Sequence, residues 1–259
     1  MGARSGPKAD GGVMTPAEKV SAVGLVLLRG DDERVVERPL RRLQAKQITG
    51  SVPWRTVRSR HGQRHHCGRY WSATMGQHVV YESRLELARL MLADFDPQIT
   101  AISAQPFLIR ARVNGRVRRH VPDFLLVSAD HSVAVVNVKP ASRLEDPAIA
   151  EALAWPAALF EEHGWVHEVW SGEDPVLLAN VRVLAGQRRS GFVAEELLTE
   201  VMDSCTSGIT IRELLLRLQG AVEPWLAKPA VVRLLWQQRL TTDLHRRLDG
   251  ESELVVARG

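Results

Sequence analysis

Three consecutive extended runs between residues 106 and 140 constrain the fold more than any other feature. "PFLIRARVNGRVRRHVPDFLLV", 106–127, alternates apolar and polar residues on both sides of Asn114-Gly115, the strongest short-range signal for a two-residue hairpin turn. "SVAVVNVKP", 132–140, follows as a third strand across a short polar turn. Upstream, "ESRLELARLMLADF" (82–95) sets Leu85, Ala88, Leu92 and Phe95 on one helical stripe, closed by Asp96-Pro97. Downstream, "PAIAEALAWPAALFEEH" (147–163) reads as helix with a break or kink at Pro156, and "HEVWS" and "LANVRVL" read as further strands. The pattern predicts a mixed α/β chain.

With 259 residues and 45% hydrophobic composition the chain can bury a proper core, and two units are expected. Residues 1–50 read as a flexible tail followed by a small hairpin around "RGDDER", and 51–189 hold the α/β core. After "GQRRSG" the signals turn helical. Thr210 and Glu213 form a capping box ahead of "IRELLLRL", a short segment runs from Pro229 through Arg239, and "RLTTDLHRRLDGESELVV" reads as a hairpin turning at Asp249-Gly250. Helix, helix, hairpin is the order of a winged helix, expected over 190–259. Its presumed recognition segment, "PAVVRLLWQQRL", is mostly apolar, so protein docking competes there with groove reading.

No apolar run reaches the roughly 18–20 residues that span a bilayer, and "MGARSGPKADGG" lacks the apolar core of a signal peptide. With only Cys67 and Cys205, far apart, there is no disulfide framework. A soluble, cytoplasmic protein with no membrane association is expected. The net charge of +4 is unevenly placed. "WRTVRSRHGQRHHCGRY" (54–70) carries Arg55, Arg58, Arg60 and Arg64 and no acid; "RARVNGRVRRH" (110–120) carries Arg116, Arg118 and Arg119 and no acid. Clustered guanidinium groups bind a polyanion by displacing its counterions, so these arginines are candidate DNA contacts. Either run alone reads equally as a solvated basic face. His61, His65, His66 and Cys67 lack a second ligand pair at zinc-finger spacing and suit phosphate contact better than zinc.

In a strand, side chains two residues apart share a face, so Asn137 and Lys139 project together with Val133 and Val135, and Asp123 stands on the neighbouring strand. The hairpin can therefore present Asp123, Asn137 and Lys139 as one cluster. Phosphodiester hydrolysis uses such a set, because oxygen ligands hold Mg²⁺, the metal activates water, and a lysine orients that water or stabilises the developing charge. The plainer alternative is that Asp123 makes a local turn after Pro122 and Lys139 merely ends its strand at Pro140.

The combination of "YESRLE" (81–86), "QPF" (105–107), "HVPDF" (120–124) and "VNVKP" (136–140) resembles the TnsA-like endonuclease subunit of heteromeric transposases, within the PD-(D/E)xK nuclease superfamily. The resemblance covers roughly residues 50–190. It implies a restriction-endonuclease-like core, a mixed sheet flanked by helices, that nicks DNA at the 5′ ends of a transposon by attack of metal-activated water. It further implies an integrase-like transposase as partner and an AAA+ ATPase as regulator. Carried over, the catalytic acids fall on Glu86 and Asp123 and the catalytic lysine on Lys139, with Glu86, Asp123, Asn137 and the Val138 carbonyl as ligands of Mg²⁺, for which Mn²⁺ may substitute. The chain departs from its relatives at Asn137, where an acid or Gln is frequent; an amide oxygen can coordinate but brings no charge. Two plainer readings stay open for the helix: Ser83 and Glu86 stand at capping-box spacing, and Glu82 is a substitute acid. Gln105 reads as site support or as a turn residue before Pro106. A stand-alone restriction or repair nuclease, or a non-catalytic DNA- or protein-binding module with a decayed site, are the competing functions.

Overall fold

The computed structural model describes residues 24–49, 51–55 and 67–257. The expectations placed on Arg58, Arg60, Arg64, His61, His65 and His66 lie outside the described residues. In chain order, β1 (Leu25–Arg29) and β2 (Val35–Pro39) form the hairpin around "RGDDER", and α1 (Ala45–Ile48) follows. Then come β3 (Gly68–Ser72), β4 (Gln77–Tyr81), α2 (Arg84–Phe95) and β5 (Ile99–Ala104). β6 (Leu108–Val113), β7 (Arg116–His120), β8 (Phe124–Ser128) and β9 (Val133–Val138) lead to α3 (Ala141–Leu144), α4 (Pro147–Glu162), β10 (Val166–Trp170) and α5 (Pro175–Leu184). The chain closes with α6 (Glu195–Ser204), α7 (Ile211–Arg217), α8 (Pro224–Trp236), β11 (Leu240–Thr241) and β12 (Val255–Val256).

The Asn-Gly turn forms as read. Val113 faces Arg116 across it, and Asn114 and Gly115 both take positive φ, 49° and 79°, the backbone that keeps a tight hairpin in line with strand twist. β6–β7 joins β1–β2 in a sheet ordered β2-β1-β6-β7, because β1 pairs with β6. The central sheet is ordered β10-β9-β8-β5 and is mixed: β9 runs antiparallel to β8 but parallel to β10, which it reaches through α4.

Strand alternation divides the core in two. Phe124, Leu126, Val136 and Val138 join Ala88 and Met91 of α2, whereas Leu125, Val133 and Val135 join Trp155, Leu159 and Phe160 of α4 and Val26, Ile109 and Val113 of the other sheet. Helices thus cover both faces of a mixed sheet. On α2, Asp94 is buried yet fully bonded: Tyr70 Oη and the Ala73 N–H donate to Oδ2 at 2.8 and 3.0 Å, and Ser72 Oγ and the Thr74 N–H donate to Oδ1 at 2.6 and 2.8 Å. This carboxylate fastens the two-stranded β3–β4 hairpin to the helix.

Two expectations from sequence are corrected. Pro156 does not break α4, which runs through it. The carbonyl that proline deprives of a partner is that of Ala152, and Ala152 is exposed, so water meets it. "LANVRVL" is not a strand but the body of α5: Asp174 accepts the Val176 N–H at 2.8 Å as N-cap, Pro175 opens the first turn, and Asn180, Val181 and Leu184 are buried on one face. Burial of that face outweighs the strand preference of its valines.

Beyond residue 189, the Thr210–Glu213 capping box forms with both its bonds, the Thr210 N–H to Glu213 Oε2 at 2.9 Å and the Glu213 N–H to Thr210 Oγ1 at 3.2 Å. Three helices precede a pair of two-residue strands, β11 and β12, rather than a long hairpin. Asn180 of α5 holds the connection between them, donating to the carbonyls of Leu244 and Arg246 and accepting the Leu248 N–H. Leu198, Val201, Leu214, Leu234 and Leu254 belong to the same buried cluster as Tyr70, Leu90 and Phe124. No helix among the described residues is long and apolar enough to cross a membrane.

Candidate active site

Asp123 sits at the lip of the central sheet, its backbone fixed from both sides: its N–H donates to the Val136 carbonyl at 3.0 Å and its carbonyl accepts the Gln105 N–H at 2.8 Å. Its Oδ2 accepts the Val138 N–H at 2.7 Å and lies 3.4 Å from Lys139 Nζ. Lys139 in turn donates to the Val138 carbonyl at 3.0 Å, and its N–H is held by the Trp170 carbonyl of β10 at 2.9 Å. The acid and the amine therefore meet because β8 and β9 are hairpin neighbours and both leave the sheet at the same end.

Glu86 performs the capping duty and more. Ser83 Oγ accepts the Glu86 N–H at 3.0 Å and donates to Glu86 Oε1 at 3.0 Å, while Oε2 accepts the Glu82 N–H at 2.7 Å. Burial pushes the Glu86 carboxyl above its usual range; the Glu82 N–H opposes this, and the negative charge of Asp123 adds to the upward push. Two carboxylates that repel across a partly desolvated space are a setting a hard dication relieves. Glu86, Asp123, the Val138 carbonyl and the Asn137 amide offer the oxygen donors that Mg²⁺ prefers, with two negative charges among them. They fit such an ion, although among the described residues no three His, Cys, Asp or Glu side chains converge as a metal cluster.

Asn137 is buried, 1% exposed. Its Oδ1 lies 3.1 Å from His120 Nε2 and 3.0 Å from His167 Nε2, and its Nδ2 has no partner. Burial drives the His120 imidazole down to about 4 and also lowers that of His167, so both rings are neutral near pH 7. Neither ring was singled out from sequence as part of the site. His120 was counted as one member of a basic run, although it directly precedes "VPDF"; His167 reaches Asn137 only through the parallel β9–β10 register across α4, which no local pattern encodes.

A cleft of about 310 Å³ gathers Asp123, Asn137, Lys139, His120, Arg119 and Arg55, with Ile149 and Leu153 of α4 as its apolar wall. Arg55 also borders a larger hollow of about 520 Å³ that Arg29 and Arg69 share, and it forms an ion pair with Glu82 at 3.5 Å. Gln105 is no mere turn residue. It is buried, holds φ at +45°, and its Oε1 accepts the Arg55 N–H at 3.1 Å, so one side chain links the Asp123 backbone to Arg55. Of the remaining arginines, Arg116 is exposed on β7 and Arg118 pairs with Glu151 of α4.

The segment that builds this cleft also carries a family signature. Residues 96–172 match the N-terminal domain of the TnsA-like endonucleases. The TnsA-like segment contains Gln105, His120, Asp123, Asn137, Val138, Lys139 and His167, while Glu86 precedes it. No curated protein matches the chain.

Proposed function

We propose that this protein is the metal-dependent DNA endonuclease subunit of a heteromeric transposase, nicking the 5′ ends of a mobile element. The observation that carries the reading is the juxtaposition, within the TnsA-like segment, of Asp123 and Lys139 at 3.4 Å on a cleft bordered by arginines, with Glu86 in electrostatic reach. Glu86, Asp123, Asn137 and the Val138 carbonyl would hold Mg²⁺, or Mn²⁺ in its place. When bound, that ion acidifies water and neutralises charge developing on phosphate. Lys139 supplies an ammonium group to orient water or to meet the non-bridging phosphate oxygens, and Arg55 and Arg119 set the neighbouring phosphates against the cleft. DNA ends, an integrase-like transposase and an AAA+ ATPase are the partners this reading assigns, and the 190–259 region, read as winged-helix-like, is the surface it assigns to DNA or to the ATPase. The opposed reading, a binding module with a decayed site, takes its support from Asn137, whose amide brings no charge.

The test is strand cleavage of transposon-end DNA by the full chain with Mg²⁺ or Mn²⁺, with and without the partner subunits. Asp123→Ala and Lys139→Ala should each abolish nicking while DNA affinity changes little, because positioning contacts are spread over the arginines. Wild-type cleavage in either variant sinks the nuclease reading, and vigorous cleavage by the chain alone favours a solitary nuclease.

A further inference from the structure

The Asn137 carboxamide sits between two imidazoles, and its two ends are not equally served. Oδ1 faces both Nε2 atoms, at 3.1 Å for His120 and 3.0 Å for His167, while Nδ2 has two N–H groups and no acceptor. The oxygen and nitrogen of a carboxamide exchange places by a half-turn about its last torsion with almost no change of shape. In the turned arrangement Nδ2 donates one hydrogen to each Nε2, and the oxygen takes the position of the orphaned nitrogen. Buried donors without acceptors are rarer in proteins than under-used carbonyl oxygens, so the turned arrangement is the better satisfied one. It requires both Nε2 atoms to be bare, which neutral rings carrying their proton on Nδ1 provide. Each ring is held in place by an aromatic neighbour, His120 edge-on to Trp155 at 6.2 Å and His167 against Phe160 at 5.9 Å.

We propose that His120 and His167 are positioning residues that together lock the Asn137 carboxamide with Nδ2 toward both rings and Oδ1 as a free acceptor on the wall of the Asp123–Lys139 cleft. This rests on the nuclease reading only for what the oxygen faces: there, it is a preset neutral ligand for a divalent cation. An acid at 137 would need no such device, since either of its oxygens can serve; an amide has one, and two acceptors behind it decide which end points outward.

Two measurements on the full chain decide the matter. Nitrogen-15 correlation spectra of the histidine rings, with no metal or DNA present, should show bare Nε2 and protonated Nδ1 on both His120 and His167, assigned by loss of each signal in the single variants; a proton on either Nε2 overturns the lock whatever the protein's activity. Calorimetric titration with Mn²⁺ alone reads its consequence. His120→Leu removes an acceptor and should weaken Mn²⁺ binding about tenfold or more, the usual effect of losing a residue that orients a ligand, whereas His120→Gln keeps an acceptor and should bind nearly as wild type. Equal affinity in wild type and His120→Leu, with circular dichroism unchanged, overturns the proposed role of the rings. Absence of Mn²⁺ binding in wild type would count against the metal site of the nuclease reading and leave the spectra to judge the orientation.

Discussion

Asp123 and Lys139 were legible because strand alternation and one hairpin turn are enough to bring them together, and both ends of that hairpin are written in a single 21-residue stretch, 120–140. Glu86 needed only its helix and its cap. The imidazoles around Asn137 were not legible, since a parallel strand and an edge-strand histidine enter the site from separate hairpins and crossovers. Their burial has a measurable cost in acid. An unfolded histidine titrates near 6.5, whereas folded His120 is pushed down to about 4 by burial, and His167 moves the same way. Between those values the unfolded chain binds more protons, so stability is intact above about pH 6.5 and is lost as pH falls toward 4, by up to about 3 kcal/mol for His120. His120→Phe keeps a ring against Trp155 and cannot titrate; its melting temperature should fall less between about pH 7 and pH 5 than that of wild type. Parallel curves for the two proteins would clear His120 of this role.

Among the elements, the Asn114-Gly115 hairpin, α2, the β8–β9 pair and the Thr210 cap all announce themselves through turn or cap chemistry, which acts over a few residues. β3, β4 and β5 carry no such punctuation, and α5 was hidden by β-branched residues whose helix is imposed by its cap and its buried face. β3–β4 illustrates why local reading fails: a two-stranded hairpin is marginal on its own and owes its place to Asp94 of α2. Asp94→Ala removes the acceptor of four donors at once and should cost about 3 kcal/mol. Hydrogen exchange should then quicken over 68–81 before it does in β8 and β9. Uniform loss of protection along the chain would instead mean that the hairpin unfolds only with the whole.

For the molecule as a whole, the change of composition after residue 189 coincides with a loop between a 3₁₀ turn at Ala185–Gln187 and α6. It does not divide the interior. Leu198, Leu214 and Leu234 pack into the cluster that holds Leu90 and Phe124, and no sequence pattern tells whether two apolar faces meet each other or separate partners. A chain ending at Arg189 would expose the buried sides of α2 and α5; we expect it to bind a hydrophobic dye and to lose a sharp melting transition. A cooperative, monomeric truncated form would show that the two parts fold independently. Tyr70 lies in that same cluster, and burial, then the charge and hydrogen bond of Asp94, hold its phenol far above the usual tyrosine range. Because the chain has only two tyrosines, the ultraviolet colour change of phenolate formation at Tyr70 amounts to a large share of the total signal, and it can appear only when the interior opens. The protein thus carries its own optical gauge of integrity, readable in alkaline solution without any added label.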